Sequence, residues 1–141
     1  MVGVVIVTHG QVGLEMLRTA QEIVGRIERA EAVTIEAAEK IEKARTKIAG
    51  AIQRVSTGAG VLILTDMFGG TPSNLGLSFL DKEALEVVTG VNLPMLIKLP
   101  SLREGTPLRE LADRLSKYGQ KTILVASEFL AKKATGPVGP A

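Results

Sequence analysis

The stretch VLILTDMFGGTPSN, residues 61–74, decides the fold. Its first five residues are apolar or β-branched without a break, as in a strand covered on both faces of a parallel sheet. Asp66 then ends the run and Gly69-Gly70 turns the chain. Thr71-Pro72 opens a helix, with Thr as N-cap and Pro at the first helical position, where its missing N–H costs nothing. Strand, glycine turn and helix make one βα unit.

The rest of the chain repeats that unit. VGVVIV (2–7) is a second continuous strand, and it ends in Thr8-His9-Gly10. From Gly13, Leu14, Leu17, Ala20, Val24 and Ile27 recur at helical spacing. AVTI (32–35) reads as a short strand. Ile41, Ala44, Ile48, Ala51, Ile52 and Val55 then mark one face of a second amphipathic helix. The helix opened at Thr71 runs to about Leu80, and LEVVT (85–89) is the next strand. Gly90 and Pro94 punctuate the chain before MLIKL. Thr106-Pro107 repeats the cap signature and launches Leu108, Leu111, Leu115 and Tyr118 along one face. KTILVAS (121–127) reads as a fifth strand. The expected fold is α/β, a three-layer sandwich around a mainly parallel sheet of about five strands. A single domain over 1–130 is expected, followed by a disordered tail over 131–141 that ends in ATGPVGPA.

Composition narrows the function. At 141 residues, 45% hydrophobic and 23% charged, the chain suits one globular domain. No apolar run reaches the roughly 18 residues that span a bilayer. The start, MVGVVIVTHG, lacks a basic leader and a cleavage site, and reads as a first strand in place of a signal peptide. With no cysteine there is no disulfide, thiolate chemistry or Cys-based metal site, which fits a cytoplasmic protein. No cofactor and no metal is expected. The net charge is +2, and the basic residues lie scattered among Glu, as in EKIEKARTK (39–47). Phe68, Phe79, Tyr118 and Phe129 are too few and dispersed to stack bases, so nucleic-acid binding is not expected.

In an open parallel sheet, ligands sit at the carboxyl ends of the strands, near the switch in strand order. His9, the only histidine, lies just past one such end and Asp66 just past another. A carboxylate beside an imidazole fixes its tautomer and leaves the other nitrogen free to attack. Gly69 and Gly70 let backbone N–H groups approach a ligand, and Thr71 adds a hydroxyl at a helix start, which together suit an anion. A nucleophilic imidazole facing an anion cradle suggests phosphoryl chemistry. Plainer readings stand beside it. A lone His at a strand end commonly serves packing, an Asp there caps a turn, Gly-Gly and Thr-Pro are punctuation, and Met67 and Phe68 suit a core.

Three motifs in order, VIVTHGQVG, LTDMFGGTPSN and VTGVNLPML (88–96), resemble the enzyme IIA component of the mannose family of the bacterial sugar phosphotransferase system, over about residues 2–130. The resemblance implies that His9 is phosphorylated by the phosphocarrier HPr and passes the group to a IIB component. It implies that Asp66 hydrogen-bonds the ring and that Thr71 lies beside the phosphoryl group, with Gly69 and Gly70. Met67, Phe68 and Leu93 are expected on the partner-facing rim, although Phe68 stands where some members have Trp. The family forms homodimers that exchange a carboxyl-terminal strand, here KTILVAS. No IIB domain follows, so a separate IIB is expected, together with peripheral association with a IIC/IID permease. The alternative is a regulatory phospho-switch without sugar transport.

Overall fold

The computed structural model describes residues 1–80 and 84–135. Four strands form one parallel sheet: β1 (Gly3–His9), β2 (Ala30–Ile35), β3 (Val61–Thr65) and β4 (Leu85–Thr89), in the order β2-β1-β3-β4. The register sets Val7 opposite both Val33 and Thr65, and Thr65 opposite Thr89, so all four strands end at one edge.

Side-chain alternation along the strands builds two cores. Val4, Ile6, Leu62 and Leu64 pack with Leu17, Ala20, Leu96, Leu99, Leu111 and Leu115, from α1 (Val12–Val24), α4 (Leu93–Arg103) and α5 (Leu108–Lys121). Val5, Val7, Val33 and Ile63 pack with Ile48, Ala51, Leu75 and Phe79, from α2 (Ile41–Val55), α3 (Thr71–Leu77) and the turn after it. Each fully buried Leu or Ile contributes about 1.5 to 3 kcal/mol. From β1 the chain steps one way to β2 over α1, then back past β1 to β3 and on to β4 over α2 and α3. Opposite steps put the helices on opposite faces, as right-handed crossovers demand. The reversal falls between β1 and β3.

α4 is a helix that the sequence pattern conceals. Apolar residues surround it and Pro100 lies inside it, which reads as a stop. The legible signal is Asn92-Leu93-Pro94. The Met95 N–H donates to Asn92 Oδ1 at 3.1 Å, and Pro94 sits in the first turn. Asn92 Nδ2 donates to the Gly119 carbonyl at 3.2 Å, tying the start of α4 to the end of α5. At its other end, buried Arg103 donates to the Val2 carbonyl at 3.2 Å.

KTILVAS is not a strand. Lys121 ends α5, residues 122–125 carry no regular hydrogen-bonded structure, and α6 (Ala126–Thr135) begins at Ala126. The Thr122 hydroxyl turns back to the Gly119 carbonyl at 2.7 Å and closes the helix. A strand forms only against a neighbouring strand, and among the described residues the segment has none, leaving Ile123, Leu124 and Val125 exposed. Residues 131–135 continue α6, so the expected boundary at 130 falls inside a helix; the rest of the expected tail lies outside the described residues. Thr71 is the first residue of α3, with Gly70 as its N-cap and no side-chain cap. α5 likewise starts one residue later than its Thr-Pro signal suggests, at Leu108.

Candidate functional site

Two strand ends meet at the point of reversal. β1 delivers His9 and β3 delivers Asp66, and the two strands are hydrogen-bonded neighbours. Thr8 Oγ1, fully buried, accepts the Gly13 N–H at 2.7 Å, which pins the start of α1 to the end of β1. Gly13 must be small, because a Cβ there would lie 2.9 Å from both the Ile6 and Thr8 side chains. Gly10 makes the intervening turn at φ +50°, a left-handed conformation that favours glycine. Thr8 and Gly13 are the supports that sequence reasoning missed; the Thr-His-Gly triplet at a strand end was their only signal.

His9 then sits against Asp66. Its Nδ1 is 2.8 Å from Asp66 Oδ2, and its backbone N–H donates to the same oxygen at 3.0 Å. The Met67 N–H donates to Asp66 Oδ1 at 3.1 Å. Burial raises the Asp66 pKa, but the hydrogen bonds from the His9 ring and backbone outweigh it and leave the carboxyl below its ordinary value. An ionised carboxylate only accepts, so Nδ1 carries a proton, and in the neutral imidazole Nε2 is then the nitrogen with the lone pair. The imidazole side chain is 50% exposed and that of Asp66 18%, so the nucleophile is open while its partner is sheltered.

The loop after Asp66 closes the other side. Gly69 turns at φ +92°, and Gly70 brings its backbone to the Cε1–Nε2 edge of the ring. Thr71 follows, exposed and not spent on capping its own helix. Met67 and Phe68 project from the loop at 55% and 73% exposure, far more than core residues would. Leu93 is only half-buried and packs on the core shared by α1, α4 and α5. His9, Asp66 and Gly70 are therefore in contact, Met67 and Phe68 follow Asp66 in the loop, and Leu93 divides its surface between the core and solvent. The Gly90 and Val91 N–H groups both donate to the Thr65 carbonyl at 2.9 Å, which holds the end of β3 from its other side.

The site lies on the exposed rim of the sheet. Two cavities of about 470 and 480 Å³ lie at the other end of the sheet, by Gly60, Val61 and Leu85 and by Arg29 and Ala30. An exposed imidazole on an open edge suits the approach of another macromolecule better than enclosure of a small ligand. Among the described residues no group of three or more His, Cys, Asp or Glu could hold a metal, and no helix is long and apolar enough to cross a membrane.

Residues 3–116 match the family model of the PTS system fructose IIA component. The chain is 33% identical over 136 residues to a PTS system fructose-specific EIIA component of Bacillus subtilis (strain 168), covering 96% of this chain and 93% of that protein. It is 31% identical over 145 residues to the PTS system mannose-specific EIIAB component of Escherichia coli (strain K12), where it covers 44% of the longer protein. Among solved structures, the PTS IIA protein associated with the fucose utilization operon from Streptococcus pneumoniae superposes with a TM-score of 0.81 at 25% identity, over 91% of this chain and 95% of that one.

Proposed function

The chain belongs to the mannose-family IIA components of the sugar phosphotransferase system, and from that premise we propose that it carries a phosphoryl group on His9, taken from HPr and handed to a IIB component in the cytoplasm. The observation that carries this reading is the 2.8 Å contact of Nδ1 with Asp66, which leaves Nε2 as the only ring nitrogen with a free lone pair, on an open rim. Nε2 attacks phosphorus as the bond to the donor atom breaks. Positive charge grows on the ring, and the Asp66 carboxylate, acting through Nδ1–H, stabilises it. Gly69, Gly70 and Thr71 flank the phosphoryl group, and Met67 and Phe68 supply apolar contact to both partners in turn.

Incubation with the general phosphotransferase enzyme, HPr and labelled phosphoenolpyruvate tests this. The expected product is an acid-labile label that disappears in His9→Ala and passes on when a IIB component is added. A label that survives brief acid treatment, or that persists in His9→Ala, overturns the assignment.

The same reading includes a homodimer. The outer edge of β2 is guarded, with Lys47 Nζ donating to the Thr34 carbonyl at 2.5 Å and Arg54 paired with Glu31 at 3.0 Å. The outer edge of β4 pairs with no further strand among the described residues, although Arg109 pairs with Glu86 there at 3.3 Å, and exposed Ile123, Leu124 and Val125 follow α5. An open edge and an unpaired apolar segment in one chain support pairing between two chains. Peripheral association with a IIC/IID permease would follow through the IIB partner.

A further inference from the structure

Gly70 has φ −88° and ψ 172°, a backbone that any residue adopts, whereas its neighbour Gly69 turns at φ +92°. The lack of a side chain at 70 therefore answers to something other than the backbone. A Cβ there would lie 2.6 Å from His9 Cε1, 2.9 Å from Nε2 and 3.8 Å from Nδ1. The three nearest atoms all belong to one imidazole. The Nδ1 distance exceeds the Cε1 distance by almost a full ring bond, so the Cβ would stand at the edge of the ring beyond Cε1, beside the Nε2 lone pair. The opposite edge is committed to Asp66 at 2.8 Å. Held on one side and crowded on the other, a half-exposed ring makes room by turning away from that hydrogen bond.

We infer that Gly70 is a positioning residue: its missing side chain lets His9 keep Nδ1 on Asp66 and present an unobstructed Nε2 at the same time. This rests on the proposed phosphoryl transfer at His9. The N–P bond forms from the Nε2 lone pair while the bond from phosphorus to the donor breaks and its electron pair leaves with the donor. The Nδ1 proton stays on the ring against Asp66. A methyl group at position 70 would intrude on both the ring and the space the phosphoryl group enters.

The test is Gly70→Ala, followed by ¹⁵N NMR of the His9 ring and by the rate of labelling from HPr. Because His9 is half-exposed, the ring yields and the variant folds. The wild-type ring should show a proton on Nδ1 and a bare Nε2, and the variant a shift toward the Nε2–H form. Labelling should slow about 100-fold, the scale expected when a reacting atom is misplaced by about an ångström. If Gly70→Ala does not fold, a folded Gly70→Ala/His9→Ala double variant supports the inference, since the collision is then with the imidazole. An unfolded double variant overturns it. A folded Gly70→Ala with the wild-type ring pattern, or with the wild-type rate, overturns it as well. If HPr does not label the wild-type protein, the proposed function fails separately, and the tautomer comparison still decides the steric role of Gly70.

Discussion

His9 owes its chemistry to its neighbours. Asp66 takes one ring nitrogen, and Asp66→Asn tests that role because it keeps an acceptor oxygen while removing the charge. Phosphorylation should persist but slow by roughly 10- to 1000-fold, the range for losing a charge-assisted contact worth about 1.5 to 4 kcal/mol. A wild-type rate from HPr would reduce Asp66 to a turn residue. Complete loss of label in Asp66→Asn with survival in His9→Ala would make the aspartate itself the acceptor. The same pair has a signature in acid. The folded Asp66 carboxyl titrates below its ordinary 3.8, so its ionised form stabilises the fold above that pH, and the contribution is lost as pH falls through the lower folded value. In His9→Ala the ring hydrogen bond goes while burial remains, so carboxyl NMR should find Asp66 titrating at higher pH than in the wild type. Two buried hydroxyls, Thr65 Oγ1 and Ser73 Oγ, have no hydrogen-bond partner among the described residues. Thr65→Val, of nearly the same shape, should raise the unfolding free energy by about 1 kcal/mol, measured by urea titration; a clear loss would mean that the hydroxyl is satisfied after all.

At the scale of elements, α4 shows how one side chain joins two helices. Asn92 caps α4 through Oδ1 and reaches the end of α5 through Nδ2. The two roles separate by substitution. Asn92→Asp keeps the cap acceptor and loses the donor, while Asn92→Ala loses both. Thermal or denaturant unfolding should place Asn92→Ala about 1 to 2 kcal/mol below the wild type and Asn92→Asp between them. Equal losses in both variants would assign the whole effect to the tie with α5. The distinctive Gly-Val-Asn-Leu-Pro-Met run thus serves architecture. Its glycine and valine hold the end of β3, and with it Asp66, in place.

For the whole molecule, the decisive question is what covers the β4 edge and residues 123–125. If two chains pair there, the wild type sediments as a dimer, and Ile123→Asp/Val125→Asp gives a folded monomer with an unchanged circular dichroism spectrum over the α/β body. A double variant that remains a dimer would place the interface elsewhere. Apolar side chains left in water on one chain and a strand edge without a pairing strand are costs that association removes from both partners together.

The sequence alone determined the βα units, the four strands that lie in the sheet and the two residues that meet at its switch point. Continuous β-branched runs, glycine turns and Thr-Pro signals are local, and local chemistry reports them. His9 and Asp66 were legible as a pair because parallel strands must end at one edge. Tertiary structure decided the rest, for reasons that sequence spacing does not carry. α4 is a helix because neighbours surround it, which erases the one-sided pattern by which helices are read. KTILVAS has the composition of a strand, but a strand requires a partner for its hydrogen bonds, and the described residues supply none. Gly70 resembles ordinary turn punctuation until the fold brings His9, 61 positions earlier in the chain, within 3 Å of where its side chain would stand. The contact exists only because β1 and β3 are neighbours in space.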